Sequence, residues 1–543
     1  MSSNLFALVS KSLQLSFIHG QAWSSSSSSV DTARRDLLST NFTAPSNKDN
    51  LAVTITRADT GRLIARTNAP VNVSDTQVTF QWGDLASSLT GYAIAVTATG
   101  SNGHTYTAQT SLQRLPSRTD GGSVVKIDNL YGGLVVQEKG SKNWTPLFPF
   151  SFYFGSGLLE PKTTEVLTEW VNMGYNILHI IPPYDYNDYK KYAEEAEKLG
   201  LWLMYDMRHT FNDHDELVKQ MELFKGFSNM LLWYTSDEPD GTQQPLDSTK
   251  NSYDTIKALD PYHPVSLVMN CENYHFEEYT SGADIILTDV YPIGVNTTWS
   301  TKFNAPVNTT YGDAGCDNCF GDNSLPNLPH RLSSYRTYST QLGLGTGLQK
   351  PLWAVPQAFG PEDHWTRHPT ADEEAAMVLL NVNHGVKGSV AWAWPPAQEI
   401  QDVSTELAKA LTDPAVTRLV LGAQMVKIRD CGVDEGQVDV TAWVAGDGGS
   451  MLVGWVNPGR SVLDVTRIDL AAALEEAGKG ATGVKSVVLG KGEWTVGPSG
   501  SSLVQAGGAG GLGPLEVNML ILDVGAVRVA GPAVVQGGSV ATT

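Results

Sequence analysis

The chain has 543 residues, 41% hydrophobic and 17% charged, with 37 basic against 57 acidic side chains and a formal net charge of -20. At roughly 100–200 residues per domain it is too long for one core, and its composition is that of a globular protein, not a fibrous or disordered one. The acidic excess argues against nucleic-acid and acidic-membrane partners, which need a basic footprint, and no apolar run reaches the ~18 residues that span a membrane.

The first 22 residues are apolar and poor in acid, with small residues at Gly20 and Ala22. Lys11 interrupts the apolar run and a basic start is missing, so they make a weak signal peptide. Six serines at 24–29 and the charged stretch after them read as a flexible leader, to residue 47. Sequons at Asn41, Asn72, Asn143, Asn296 and Asn308 favour a secreted glycoprotein. Residues 48–140 hold short alternating runs between turn signals, such as LAVTITRA and GYAIAVTATG. That spacing predicts an antiparallel β-sandwich.

From 141 to 415 short apolar runs alternate with helical stretches, the grammar of parallel βα units. The predicted strands are Phe148–Phe154, Asn176–Ile181, Trp202–Asp206, Met230–Thr235, Val265–Met269, Asp284–Thr288, Leu352–Pro356 and Ser389–Trp394. The predicted helices are Lys162–Met173, Asp188–Leu199, His214–Phe224, Ser248–Leu259, Phe276–Thr280, His330–Leu342, Ala371–His384 and Thr405–Leu411. Eight such units match an α/β fold of the (β/α)8 TIM-barrel type. A doubly wound open sheet would want a Gly-rich phosphate turn after the first strand, and Gly155-Ser-Gly157 is too slight for one. The long connection Val290–Pro329 is expected to wall a substrate cleft. It carries Cys316-Asp-Asn-Cys319, which reads as a small loop disulfide, since no second pair completes a zinc site. Cys271 and Cys431 read as buried thiols. From 416 to 543 alternation returns, as in SMLVGWVNP and LEVNMLILDV, and predicts a second antiparallel β-sandwich. The Gly-rich GAGGLGP turn has no helix after it to supply a phosphate site.

Barrel chemistry sits at the C-terminal ends of strands. Those ends supply Tyr153; His179; Asp206 and Arg208; Tyr234, Asp237 and Glu238; Glu272; Asp289 and Tyr291; Gln357; and Trp392 with Trp394. They are rich in carboxylates and aromatics, with no Cys/His metal cluster and no nucleophile turn, so no metal and no cofactor are expected. Paired carboxyls with aromatic walls suit glycosidic bonds: one protonates the leaving oxygen, the other attacks or activates water. Structural roles compete: Asp237 before Pro239 can cap a helix, Asp206 and Arg208 can form an ion pair, and His179 can be a satisfied core histidine.

The stretches Pro149-Phe-Ser-Phe-Tyr153, Trp233-Tyr-Thr-Ser-Asp-Glu-Pro239, Asp289-Val-Tyr-Pro292 and Trp353-Ala-Val-Pro-Gln-Ala-Phe-Gly360, with Arg367-His-Pro-Thr370, carry a resemblance. The barrel resembles clan A glycoside hydrolases, especially those whose fourth strand ends in Asp-Glu-Pro. The resemblance implies that Glu238 is the general acid/base, with Asp237 where Asn is usual. It also places Gln357 where the clan has its nucleophilic Glu, and an amide cannot attack. Three repairs stand open. A base in an inverting reaction could be Asp289, favoured because it follows its strand directly, or Asp206, Glu272 or Glu362. Asp237 and Glu238 could act as a substrate-assisted hexosaminidase pair. Or Glu362 takes the place of Gln357. The alternative from another class is an inactive barrel that only binds glycans.

Overall fold

The computed structural model describes residues 5–9, 12–16, 50–70, 76–80, 85–137, 141, 143–295, 299–300, 304–306, 324–342, 349–362, 365–446, 448–475, 479–490, 494–506 and 510–526. The chain forms two compact units, Met1–Thr417 and Arg418–Thr543.

The first unit is organised by a closed parallel barrel of eight strands in chain order. They are β1 (Phe150–Gly155), β2 (Ile177–Ile181), β3 (Trp202–Asp206), β4 (Met230–Asp237), β5 (Val265–Met269), β6 (Ile285–Thr288), β7 (Leu352–Ala354) and β8 (Ser389–Trp394). A strand covered on both faces needs an unbroken apolar run. In β4 every residue from Met230 to Ser236 is buried, and exposure begins at Asp237. The helices are α1 (Thr163–Asn172), α2 (Tyr186–Lys198), α3 (His214–Phe224), α4 (Ser248–Leu259), α5 (Phe276–Thr280), α6 (Asn327–Gln341), α7 (Ala371–Asn383) and α8 (Gln398–Leu411). Local chemistry sets their ends. Asp185 and Asp213 accept first-turn N–H groups of α2 and α3, and Thr370 and Glu373 close a capping box on α7. After α1 and α2 the chain turns at Gly174 and Gly200, with φ of 89° and 77°, where a Cβ would be strained. α8 starts earlier than expected, at Gln398 instead of Thr405. Before Ser404 only Ile400 faces inward, too thin a stripe to read as helical period.

Two departures concern the N-terminal part. The four-stranded sheet, in the order Leu63–Pro70, Asn50–Arg57, Tyr92–Thr99, Thr105–Leu112, buries Leu51, Val53, Ile55, Ile94 and Val96 in one core with Val78 of a second sheet. That second sheet pairs Thr76–Thr79 with Ser12–Ser16, and Ser12–Ser16 with Leu5–Val9. Part of the expected leader is therefore strand. The hairpin Val124–Ile127 and Leu134–Gln137, expected in the sandwich, instead shares the barrel core through Val125, Leu134 and Val136. Ser123 Oγ donates to Met230 O at 2.7 Å, which ties this hairpin to the start of β4, away from the strand ends that carry the acids. Alternation alone does not say which core a strand's apolar face joins.

The second unit contains a five-stranded and a three-stranded antiparallel sheet around one core, where Trp455 meets Trp494 edge to face at 5.0 Å. Cys431 is a buried free thiol, pushed up to about 11 chiefly by burial. Cys271, expected as a thiol, is disulfide-bonded, which corrects that expectation. The Cys316–Cys319 pair and the sequons other than Asn143 lie outside the described residues. Among the described residues no helix is long and apolar enough to cross a membrane.

Candidate active site

Side chains alternate along a strand, so Tyr153 of β1 points into the barrel while its neighbours Phe152 and Phe154 point to the helices. Tyr153 stands opposite His179 in register, with ring centroids 4.2 Å apart, and its hydroxyl donates to that of Tyr234 at 3.2 Å. His179 Nε2 meets Asp206 Oδ2 at 2.9 Å, both side chains fully buried. Arg208 donates its backbone N–H to Asp206 Oδ1 and its Nε–H to Oδ2, each at 2.9 Å. Its Nη1 reaches Asp237 Oδ2 at 2.8 Å. The guanidinium lies over Tyr153, Tyr234 and Trp392, 5.2, 5.5 and 5.6 Å from the ring centroids, an arrangement worth more when desolvated.

The electrostatics of this layer are self-consistent. Burial pushes the Asp206 carboxyl up, but Arg208 and His179 outweigh it and hold it below the ordinary carboxylate range. Burial holds His179 below its usual value, which favours the neutral ring. Burial works against the charge on Arg208, but Asp206 and Asp237 outweigh that and keep it cationic.

Above this layer lie the acids. Asp237 accepts from Tyr234 OH through Oδ1 and from Arg208 through Oδ2, with its side chain 32% exposed. Glu238 follows with a left-handed φ of +48° and partial exposure. Asp289, directly after β6, is buried. The Tyr291 phenol is held far above its usual value by burial first, then by Asp289, Tyr153, Glu238 and Asp237. One phenol thus feels all three carboxylates. Tyr291 also belongs to an aromatic cluster: Phe359 lies 5.0 Å from it, Trp365 lies 4.9 Å from Phe359, and Trp365 Nε1 donates to Tyr291 O at 3.0 Å. Strand-end position does not single out Trp365, because it lies eleven positions past β7, in a stretch with no spacing to mark it.

Three residues are placed differently from expectation. Gln357 is held by backbone: its Oε1 accepts Ile293 N–H at 2.8 Å, its Nε2 donates to Ile293 O at 2.9 Å, and the side chain is fully buried. Glu272 turns to α6, accepting from Ser334 at 2.7 Å and meeting His330 at 2.9 Å. Trp394, expected with Trp392 among the strand-end residues of the site, packs in the helix layer against Trp170, Phe152 and Tyr175 at 4.9, 5.6 and 6.2 Å. The β1–β8 ladder shifts register between Phe152 and Phe154, and such a shift breaks the two-residue alternation. Glu362 is exposed on a turn that it closes with Trp365, and Arg367 is held by Glu373 at 2.7 Å. Among the described residues no group of three His, Cys, Asp or Glu side chains could hold a metal ion.

No protein-family model and no curated protein matches the chain. Solved structures similar to it include a β-D-glucuronidase from Dictyoglomus thermophilum, at 12% identity and a TM-score of 0.32, over 72% of this chain and 61% of that one. A glycosyl hydrolase family 2 member from Bacteroides cellulosilyticus aligns at 11% identity and 0.34, over 89% of this chain and 71% of that one. A β-1,4-mannanase from the sea hare Aplysia kurodai aligns at 13% and 0.31, over 52% of this chain and 97% of that one. This chain spans about three fifths of the length of the Dictyoglomus enzyme. At such identities and scores, the functional reading rests on the chemistry of the strand ends.

Proposed function

We propose that this protein is a glycoside hydrolase in which Glu238 is the general acid and Asp289 its partner carboxylate. The observation that carries the reading is the position of Glu238 and Asp289 just past β4 and β6, at one end of the closed barrel, beside the aromatic residues Trp392 and Tyr291. Both Asp237 oxygens are held, by Arg208 and Tyr234, which gives that carboxylate a supporting place beside Glu238. In the reaction Glu238 gives its proton to the glycosidic oxygen as the C–O bond breaks. Asp289 takes a proton from the water that adds to the sugar carbon. Trp392 and Tyr291 offer aromatic surface for a sugar ring. Asp206, Arg208 and His179 lie beneath as support.

The engaged Asp237 speaks against a substrate-assisted pair, which needs that carboxylate at the substrate's acetamide. A second reading, a barrel that binds glycans without cleaving them, draws on the internal commitment of Gln357. The disulfide at Cys271 supports an oxidising, extracellular compartment. The test is Glu238→Gln against the wild type on a panel of plant and fungal polysaccharides. Cleavage is expected to fall by about 10²–10⁴-fold, the usual contribution of a general acid. A wild type that binds but cleaves none of the panel supports the second reading, and equal cleavage by the variant sinks the assignment of Glu238.

A further inference from the structure

Glu238 holds a backbone conformation that side-chain-bearing residues rarely adopt, with φ at +48°. Such a conformation persists only where its surroundings impose it. On the upstream side Asp237 is fastened by Arg208 and Tyr234. On the downstream side the Glu238 carbonyl accepts both the N–H and the hydroxyl of Thr242, at 3.0 and 2.8 Å. Between these stands Asp240, which is fully buried. Its carboxyl accepts the backbone N–H groups of Gly241 at 3.0 Å, Asn270 at 3.1 Å and Cys271 at 2.7 Å. Asn270 and Cys271 directly follow β5. Asp240 therefore ties the turn after β4 to the end of the next strand.

We infer that Asp240 is a positioning residue, which aims the Glu238 carboxyl by fixing the peptide that bears it to the end of β5. The inference rests on Glu238 being the general acid. A carboxyl suits the task because both of its oxygens accept, enough for three N–H donors; burial pushes the group up, and the three N–H bonds oppose that. An amide at the same place would turn an N–H group against another N–H. The position is invisible to strand-end counting, since an Asp after Pro239 reads as an ordinary turn residue.

The experiment compares wild type, Asp240→Asn and Glu238→Gln in one assay, on whichever glycan the wild type cleaves, with rates expressed per folded molecule. For Asp240→Asn kcat is expected to fall about 10–100-fold with KM within about twofold, since a small misplacement of a reacting group has effects of this order. The limb of the pH–rate profile that reports the general acid is also expected to move. A purely structural role would lower the thermal midpoint and leave kcat and the profile of the folded fraction unchanged, and that result overturns the inference. Asp240→Ser, smaller and without an opposing N–H, repeats the test if the Asn variant does not fold. If neither folds, Asp240 is a folding residue and the positioning role is withdrawn. Full activity of Glu238→Gln would instead bring down the assignment of the acid, so the two failures are told apart.

Discussion

The ends of β4 and β7 open on the same end of one barrel and are built in opposite ways. At β4 two carboxylates stand side by side. One is neutralised by Arg208 and Tyr234, and the next carries a strained backbone and partial exposure. At β7 the polar residue is an uncharged amide, fully buried, with both of its polar atoms on the backbone of Ile293. Charge is placed where a cation and a hydroxyl offset it. Where the partner is the backbone of one residue, offering one donor and one acceptor, the side chain is the one that matches both. Gln357 is thus a brace between the β6 and β7 connections, whereas Asp237, Glu238 and Asp289 follow β4 and β6.

The largest effect expected from disturbing this contrast is at Arg208. Arg208→Met keeps the apolar stem and removes the charge, which leaves Asp206, 1% exposed, with His179 and the backbone N–H of residue 208 but no cation, and takes from Asp237 its guanidinium partner. Breaking one side of a buried ion pair costs about 3–5 kcal/mol, readable as a shift in the denaturant midpoint at constant slope. A loss under about 1 kcal/mol would mean that water already screens the network, and the β4 end would then owe little of its charge balance to Arg208.

The parts of this site differ in how far sequence reveals them. All eight barrel strands are readable within two residues of their observed ends, because a strand buried on both faces is an unbroken apolar run. That reading alone places Glu238 and Asp289 at strand ends. The partners of a side chain are another matter. Ile293 lies 64 positions from Gln357, and nothing local to Gln357 announces the clamp. Likewise nothing local to Cys271 announces its disulfide, and the direction of Trp394 depends on a register shift that no residue in β8 marks. Period and breakers report local geometry; contacts between strand-end connections come only from the closed barrel.

The second prediction asks whether the β7 end can be made to resemble β4. In Gln357→Glu the protonated acid can reproduce both bonds, its O–H donating to Ile293 O and its C=O accepting Ile293 N–H. The carboxylate cannot, since it has no donor, so the folded state raises the pKa of the new group. Its stabilising contribution is then complete below the unfolded value of about 4.3 and is lost as pH rises through the raised folded value. Denaturation at pH near 4 should find the variant close to wild type. Each further pH unit should cost about 1.4 kcal/mol until the folded group ionises. No gain in hydrolysis is expected at any pH. A variant equally stable at pH 4 and 7, or one that becomes a faster hydrolase, would show that this end is open to a ligand.

The smallest effect separates the two tryptophans of β8. Trp392 stands over Arg208 and 5.1 Å from Tyr153, whereas Trp394 meets Trp170, Phe152 and Tyr175 outside the barrel. Trp394→Phe keeps an aromatic ring but thins these edge contacts, each of which is worth about 0.5–1.5 kcal/mol. A stability loss near 1 kcal/mol with KM unchanged is therefore expected. Trp392→Phe shrinks the surface offered to a sugar and the ring under the Arg208 cation, so it should raise KM with a smaller change in midpoint. If the two variants exchanged signatures, the register shift at Phe152–Phe154 would not direct Trp394 outward, and the aromatic wall of the site would have to be drawn again from the other face of β8.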